Sequence, residues 1–183
     1  RHPLKLLALP LGGLLLALIA RWAARDQTSI DVVEANALHG GRVPLSDSIR
    51  VCLQTLISNG FGASVGLEAA YAQAGGALAS TIGRRLKLRR QDLRTLVGAG
   101  AGAAIGAAFG APLTGAFYAF EIVIGSYAPS MIAPVAAAAL ASVLAAHALG
   151  AAPYSIQITV VQTPSAVDYL LYAGLGVVCA IVG

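Results

Sequence analysis

The sequence predicts an all-α protein embedded in a membrane, and three observations lead to that prediction. Hydrophobic residues make up 57% of the 183 residues, charged residues only 11%, and the mean hydropathy is +0.77, which is outside the usual range of soluble domains. Long runs carry almost no charge and approach the roughly 20 apolar residues that a helix needs to cross a bilayer. Glycine and proline interrupt several of these runs, which indicates broken helices.

The first half of the chain predicts four helical segments, each ended by a polar or glycine-rich stretch. Their ranges are 3–20, 29–39, 49–58 and 64–82. The first is a spanning helix and the second is short and amphipathic. Ser46 and Asp47 offer an N-cap for the third. Residues 59–62, Asn-Gly-Phe-Gly, separate the third segment from the fourth.

The second half predicts further apolar segments, again interrupted. Residues 96–120 are apolar, but Ala-Pro-Leu at 111–113 divides them into two halves that are each too short to span a bilayer. An alanine-rich helix is expected over residues 135–149, followed by a connector over residues 154–167. A last span begins near Asp168, which gives six or seven helical segments in all.

The net charge of +4 arises from one local cluster of bases between two apolar runs. The cluster consists of Arg84, Arg85, Lys87, Arg89, Arg90 and Arg94. A nucleic-acid binder would spread such charge over a solvated face, so no nucleic-acid partner is expected, and the cluster predicts a cytoplasmic loop. The two cysteines and three histidines have no metal-site or haem spacing, so no metal and no cofactor is expected.

Residues 62–70, GASVGLEAA, form the segment that most clearly indicates a binding site. A helix that begins near Gly66 or Leu67 presents free backbone amides and the positive end of its dipole, which together stabilise an anion. Glu68 lies in that first turn, where its carboxylate can occupy the anion site when ionised and leave it when protonated or displaced. The alternative is a first-turn glutamate that only complements the helix dipole, which contributes about 0.3 to 1 kcal/mol.

The same segment resembles the G-x-x-x-G-[RK]-E-G-P element of the ClC family of voltage-gated chloride channels and chloride/proton exchangers. Residues 98–121, GAGAGAAIGAAFGAPLTGAFYAFE, are similar to the family's GAAAG…AAFNAPLAG…FxxE stretch, which is the more specific match. The resemblance implies the first repeat of a ClC-type inverted-repeat fold with broken and re-entrant helices. Residues 1–183 would then form part of one transmembrane domain, from the family's third to about its tenth helix, without the first two helices and the second half.

The resemblance also implies site residues. Glu68 would be the gate, and the amides at Gly66, Leu67, Glu68 and Ala69 would bind the anion. The family's GSGIP element, which supplies a hydroxyl to the central anion, corresponds here to QTSID at residues 27–31.

Thr28 or Ser29 would therefore contact the anion, although either could instead serve only as a helix N-cap. Family exchangers carry a second, cytoplasm-facing acid at the position of Ile122. The neighbouring Glu121 does not simply replace it, since successive helical residues point about 100° apart.

The resulting expectation is passive, channel-like chloride transport in the cell membrane, by a multi-pass homodimer whose interface includes residues 112–149. Two alternatives stay open: proton-coupled chloride antiport by an unusual proton route, and a ClC-like membrane module that does not transport. An enzyme is not expected, because no nucleophile–base pair or carboxylate pair lies at a workable spacing.

Overall fold

A computed structural model describes residues 8–23, 29–151 and 165–182. Every regular element within these ranges is a helix, which confirms the predicted all-α class. In chain order the elements are α1 (Ala8–Ala23), α2 (Val32–Ala37), α3 (Leu45–Gly60), α4 (Glu68–Arg85), α5 (Arg90–Phe109), α6 (Pro112–Tyr118) with its π-helical continuation (Ala119–Ile124), α7 (Pro129–Ala148) and α8 (Ala166–Val182). The described ranges thus hold eight α-helices, more than the six or seven expected.

Both predicted interruptions are present, and glycine or proline marks each of them. α3 ends at Gly60, and the chain stays non-helical until α4. Gly110 has a φ of 64° and ends α5, and Pro112 then opens α6. Left-handed glycine suits a helix end, and proline suits the first helical turn because its missing N–H has no partner there anyway.

Three helix starts differ from the prediction. α3 begins at Leu45, before the predicted cap, because the Asp47 carboxylate accepts a hydrogen bond from the Ile30 N–H at 3.2 Å. α4 begins at Glu68, four residues after the start of the predicted segment 64–82 but next to the start near Gly66 or Leu67 that the motif predicts. α5 begins at Arg90, inside the basic stretch, where arginine, glutamine and leucine all favour helix.

The lengths of the helices agree only in part with the expected short segments. α7 is the one described helix that is long and apolar enough to cross a membrane, judged by length and composition. Shorter apolar helices cover Ala8–Arg21, Pro112–Ile124 and Ala166–Cys179. α5 has 20 residues because it begins at Arg90, six residues before the predicted apolar stretch, so its part within residues 96–120 is short, as expected.

α5 is the central helix and packs against α4 on one side and α6 on the other. A Cβ atom on Gly75 of α4 would meet the carbonyl oxygen of Gly100 on α5. Gly102 of α5 and Gly115 of α6 are related in the same way. The absence of side chains at these glycines lets the helices approach closely, as is common where helices pack in lipid.

Two buried apolar clusters organise the rest of the fold around α5. The first joins α2, α4, α5 and the π-helix, with Val32, Ala72, Val97 and Val123 among its members. The second joins α5, α6, the π-helix and α7. The first cluster fixes α2 beside α4, and the beginnings of these two helices form the candidate site.

Candidate functional site

α4 begins without a side chain that caps its first turn. Leu67, an apolar residue, occupies the N-cap position, and the preceding Gly62 has a φ of 90° that turns the chain into this segment. The first-turn amides therefore receive no hydrogen bond from the N-cap side chain. This helix start carries the positive end of the dipole of an 18-residue helix.

The Glu68 carboxylate folds back over this helix start. A Cβ atom at Gly66 would clash with Oε2 of Glu68, so the carboxylate lies against the backbone of Gly66. A larger residue at position 66 would displace this flexible side-chain end. Glu68 is exposed, so its side chain has room to move away.

A cavity of about 310 Å³ opens beside this carboxylate. It is bounded by the end of α3, the connecting segment, the start of α4 and the end of α5. Its lining residues are Asn59, Ser64, Val65, Gly66, Leu67, Glu68, Tyr71, Ala108 and Phe109. Three of the predicted anion-binding residues line it, whereas Ala69 lies in the first turn of α4 without lining the cavity.

The first turn of α2, unlike that of α4, is capped by a side chain. Asp31 is its N-cap, and the Asp31 carboxylate accepts a hydrogen bond from the Glu34 N–H at 2.7 Å. The possibility that Ser29 caps this helix is therefore wrong, and Thr28 lies outside the described residues. Ser29 is exposed, two residues before the cap. Its predicted contact with an anion stays a prediction.

Side chains from α3 and α4 hold the irregular backbone in front of α2. The Gln73 side-chain amide donates to the Ile30 carbonyl and to the Ser48 hydroxyl, each at 3.1 Å. Gln73 is only 2% exposed. Because non-helical backbone inside a membrane protein needs internal partners, Gln73 is a positioning residue for the α2 start. Sequence reasoning missed it, although a glutamine within an alanine-rich helix was the available signal.

The phenol of Tyr118 interacts electrostatically with an acid at each of the two helix starts. It is half-buried near the end of α6, packs against the first apolar cluster, and interacts electrostatically with both Asp31 and Glu68. The starts of α2 and α4 therefore lie within electrostatic range of one phenol group. Sequence reasoning also missed this residue, because its position relative to the acids depends on the packing of three helices.

Glu121 is hydrogen-bonded to a loop residue, Tyr127. Its carboxylate accepts a hydrogen bond from the Tyr127 hydroxyl at 2.6 Å, and this bond raises the pKa of Tyr127, a loop residue. Ile122, the next residue, is 50% exposed. The expectation that Glu121 does not replace an acid at position 122 stays a prediction.

Comparison with known proteins gives one consistent answer. The family model for voltage gated chloride channels matches residues 12–183. A "Chloride/fluoride channel protein" of Pseudomonas syringae pv. tomato is 32% identical over 142 residues, covering 76% of this chain and 31% of that protein. A "Voltage-gated ClC-type chloride channel ClcB" of Yersinia pseudotuberculosis is 29% identical over 173 residues, covering 93% and 42%.

The ClcB protein of Escherichia coli is 28% identical, covering 98% of this chain and 44% of its own length. The chain thus spans between 31% and 44% of the length of these relatives. No solved structure gives a significant match. Because the family model covers nearly the entire chain, this protein belongs to the voltage-gated chloride channel family, the ClC family.

Proposed function

We propose that the full-length protein carries chloride or another small anion across the cell membrane, with Glu68 as the gate. The observation that supports this most is the uncapped start of α4, where the Glu68 carboxylate lies over Gly66 at the edge of a cavity. One carboxylate and one permeant anion would compete for the same amides and dipole. Removal of the carboxylate, by protonation or displacement, would make the site available.

The proposal includes a multi-pass arrangement in a lipid bilayer and a homodimer. The apolar outer surfaces of α6 and α7 support this part. They expose Leu113, Phe117, Ile132, Leu140 and Leu144, each between 49% and 74% exposed. Side chains of this kind are stable against lipid or a second subunit, and large exposed apolar patches are rare on soluble monomers.

The test is anion efflux from liposomes that contain the full-length protein, with the external pH recorded at the same time. We expect chloride efflux without stoichiometric proton movement. Glu68→Gln should increase the flux and reduce its dependence on pH, because an uncharged amide competes weakly with an anion. Asp92→Asn, which changes a first-turn acid on another helix, should leave both unchanged. Fluoride is measured in parallel, since one matched relative is named for both ions.

Proton-coupled antiport is the second candidate, and Tyr118 supports it. Its phenol interacts electrostatically with Asp31 and Glu68, so it offers a titratable group in the neighbourhood of the gate although position 122 is isoleucine. If transport is coupled, Tyr118→Phe should abolish proton movement and leave chloride flux largely intact. The control is Tyr127→Phe, which removes the hydroxyl that binds Glu121.

The efflux assay also tests whether the protein transports at all. A full-length protein that folds and reconstitutes but passes no halide would overturn the transport proposal. That outcome would favour a ClC-like membrane module with a structural role.

A further inference from the structure

A second and larger cavity lies beside the turn that follows α2, away from Glu68. Its volume is about 550 Å³, and its wall includes three basic side chains, His39, Arg42 and Arg90. His39 and Arg42 belong to the turn after α2, and Arg90 is the first residue of α5. The cavity therefore collects positive charge from two elements that are far apart in sequence.

Local packing holds this wall in place. Gly40 has a φ of 63°, and a Cβ atom there would lie 2.7 Å from Nε of Arg90, so the Arg90 side chain lies directly across the turn. The Ser80 hydroxyl on α4 donates to the Gly41 carbonyl at 2.7 Å and accepts from the Val43 N–H at 3.0 Å. The turn is thus attached to α4, and the exposed Arg90 side chain lies next to it.

The positive charge of this cavity is largely uncompensated. Among the described residues, the only ion-pair contact at its edge joins His39 to Glu34, with 3.9 Å between Nε2 and Oε1. Neither Arg42 nor Arg90 has an ion-pair partner in the described part of the chain. Asp92, two residues after Arg90 in the first turn of α5, does not line the cavity. Two unpaired guanidinium groups in one cavity are suited to bidentate recognition of phosphate.

Exposed leucines adjoin the bases. Leu38 and Leu88 line the same cavity and are 69% and 36% exposed, and Leu86 nearby is 66% exposed. A soluble phosphate compound would gain nothing from such apolar neighbours, whereas a phospholipid carries acyl chains next to its phosphate. Basic pockets between helices at a membrane surface commonly bind anionic headgroups.

We propose that this cavity binds the headgroup phosphate of an anionic phospholipid, with Arg42 and Arg90 as the phosphate ligands. Ile30 lines the same cavity, so a bound lipid would lie beside the segment that carries Ser29 and Asp31. The inference does not depend on anion transport. Loss of lipid binding and loss of chloride flux are separate results.

The experiment is native mass spectrometry of the full-length protein titrated with phosphatidylglycerol or with phosphatidylcholine. We expect selective binding of phosphatidylglycerol, weakened at least about fivefold by Arg42→Gln and by Arg90→Gln, since each change removes charge-assisted hydrogen bonds to the phosphate. Arg85→Gln is the matched control. Arg85 is an exposed base of the same stretch that does not line the cavity, and the change should weaken binding less than twofold.

Several outcomes would overturn the proposal. Equal weakening by Arg85→Gln would show diffuse attraction to the basic loop, and unaltered binding in the two cavity variants would exclude the site. Stabilisation by inorganic phosphate with no preference between the lipids would identify a soluble ligand. Should the variants fail to fold, photo-crosslinking of a headgroup-labelled phosphatidylglycerol to the unaltered protein must label residues 38–42 or 88–94, and labelling elsewhere contradicts the inference.

Discussion

The beginnings of α2 and α4 carry the same kind of group, a carboxylate, and use it differently. At α2, Asp31 precedes the helix and accepts a 2.7 Å hydrogen bond from a first-turn amide. At α4, Glu68 is the first helical residue, and its carboxylate lies over Gly66. The first arrangement is a standard N-cap, which fixes the acid in place. The second places an exposed acid at the positive end of a helix whose N-cap side chain makes no hydrogen bond.

The two acids therefore differ in their position relative to the helix start, since Asp31 precedes α2 and Glu68 lies within the first turn of α4. The surroundings reinforce the difference: hydrogen bonds from Gln73 and to Asp47 fix the backbone at Ile30, whereas a cavity borders Glu68. Both acids interact electrostatically with Tyr118. A change at either helix start should therefore produce a distinct result, on stability at α2 and on flux at α4.

The largest effect is expected from Gln73→Leu. The leucine would leave the Ile30 carbonyl without its partner inside the packed helices, and an unsatisfied buried acceptor costs about 1 to 3 kcal/mol. We expect the free energy of unfolding in mixed micelles to fall by about 2 kcal/mol. Gln91→Leu, at an exposed position on α5, should change it by less than about 0.5 kcal/mol. An equal loss for both variants would mean that Gln73 does not hold the α2 start.

The next largest effects are expected from substitutions of the two acids, Asp31 and Glu68, which are tested in parallel. Asp31→Ala removes an N-cap and should lower the free energy of unfolding by about 1 kcal/mol, with most of it retained in Asp31→Asn. Glu68→Ala should leave stability within about 0.5 kcal/mol and increase chloride efflux. If Asp31→Ala instead increased efflux and left stability unchanged, the roles assigned to the two helix starts would be reversed.

The sequence allowed the breaks in the helices to be predicted better than their starts. The breaks at residues 59–62 and 111–113 depend on glycine and proline, whose effect on the backbone is local. The predicted start of α3 was wrong because the Asp47 carboxylate accepts a hydrogen bond from Ile30, 17 residues away. Capping patterns consider only neighbours in sequence, so they cannot predict a competing hydrogen-bond partner that is distant in the chain.

The site shows the same division. Glu68 and Gly66 belong to one short motif, and the structure places them together. Gln73 and Ile30 are 43 residues apart, and the approach of Tyr118 to Asp31 and Glu68 depends on how three helices pack. No spacing rule predicts contacts of this kind, so the supporting residues of the site became visible only in the fold.

A smaller effect is expected from Gly66→Ala, which tests the close approach at α4 without altering the acid. The new methyl group would displace the Glu68 carboxylate, whose interaction with the helix end is worth about 0.3 to 1 kcal/mol. The chloride concentration for half-maximal efflux should therefore fall by roughly two- to fivefold, in the same direction as in Glu68→Gln. Gly60→Ala is the control, because a Cβ atom at that position has open space around it. The same chloride concentration for half-maximal efflux in both alanine variants would show that Gly66 does not affect the gate.

The smallest effect is expected from Ser29→Ala. Ser29 is exposed, and its hydroxyl has no hydrogen-bond partner among the described residues, so stability should change by less than about 0.5 kcal/mol. If the hydroxyl contacts the anion, the chloride concentration for half-maximal efflux should rise about twofold, because water can partly replace one exposed donor. Thr28→Val tests the neighbouring hydroxyl in the same assay. Unchanged values in both variants would restrict the anion site to the start of α4, since Asp31 already occupies the start of α2.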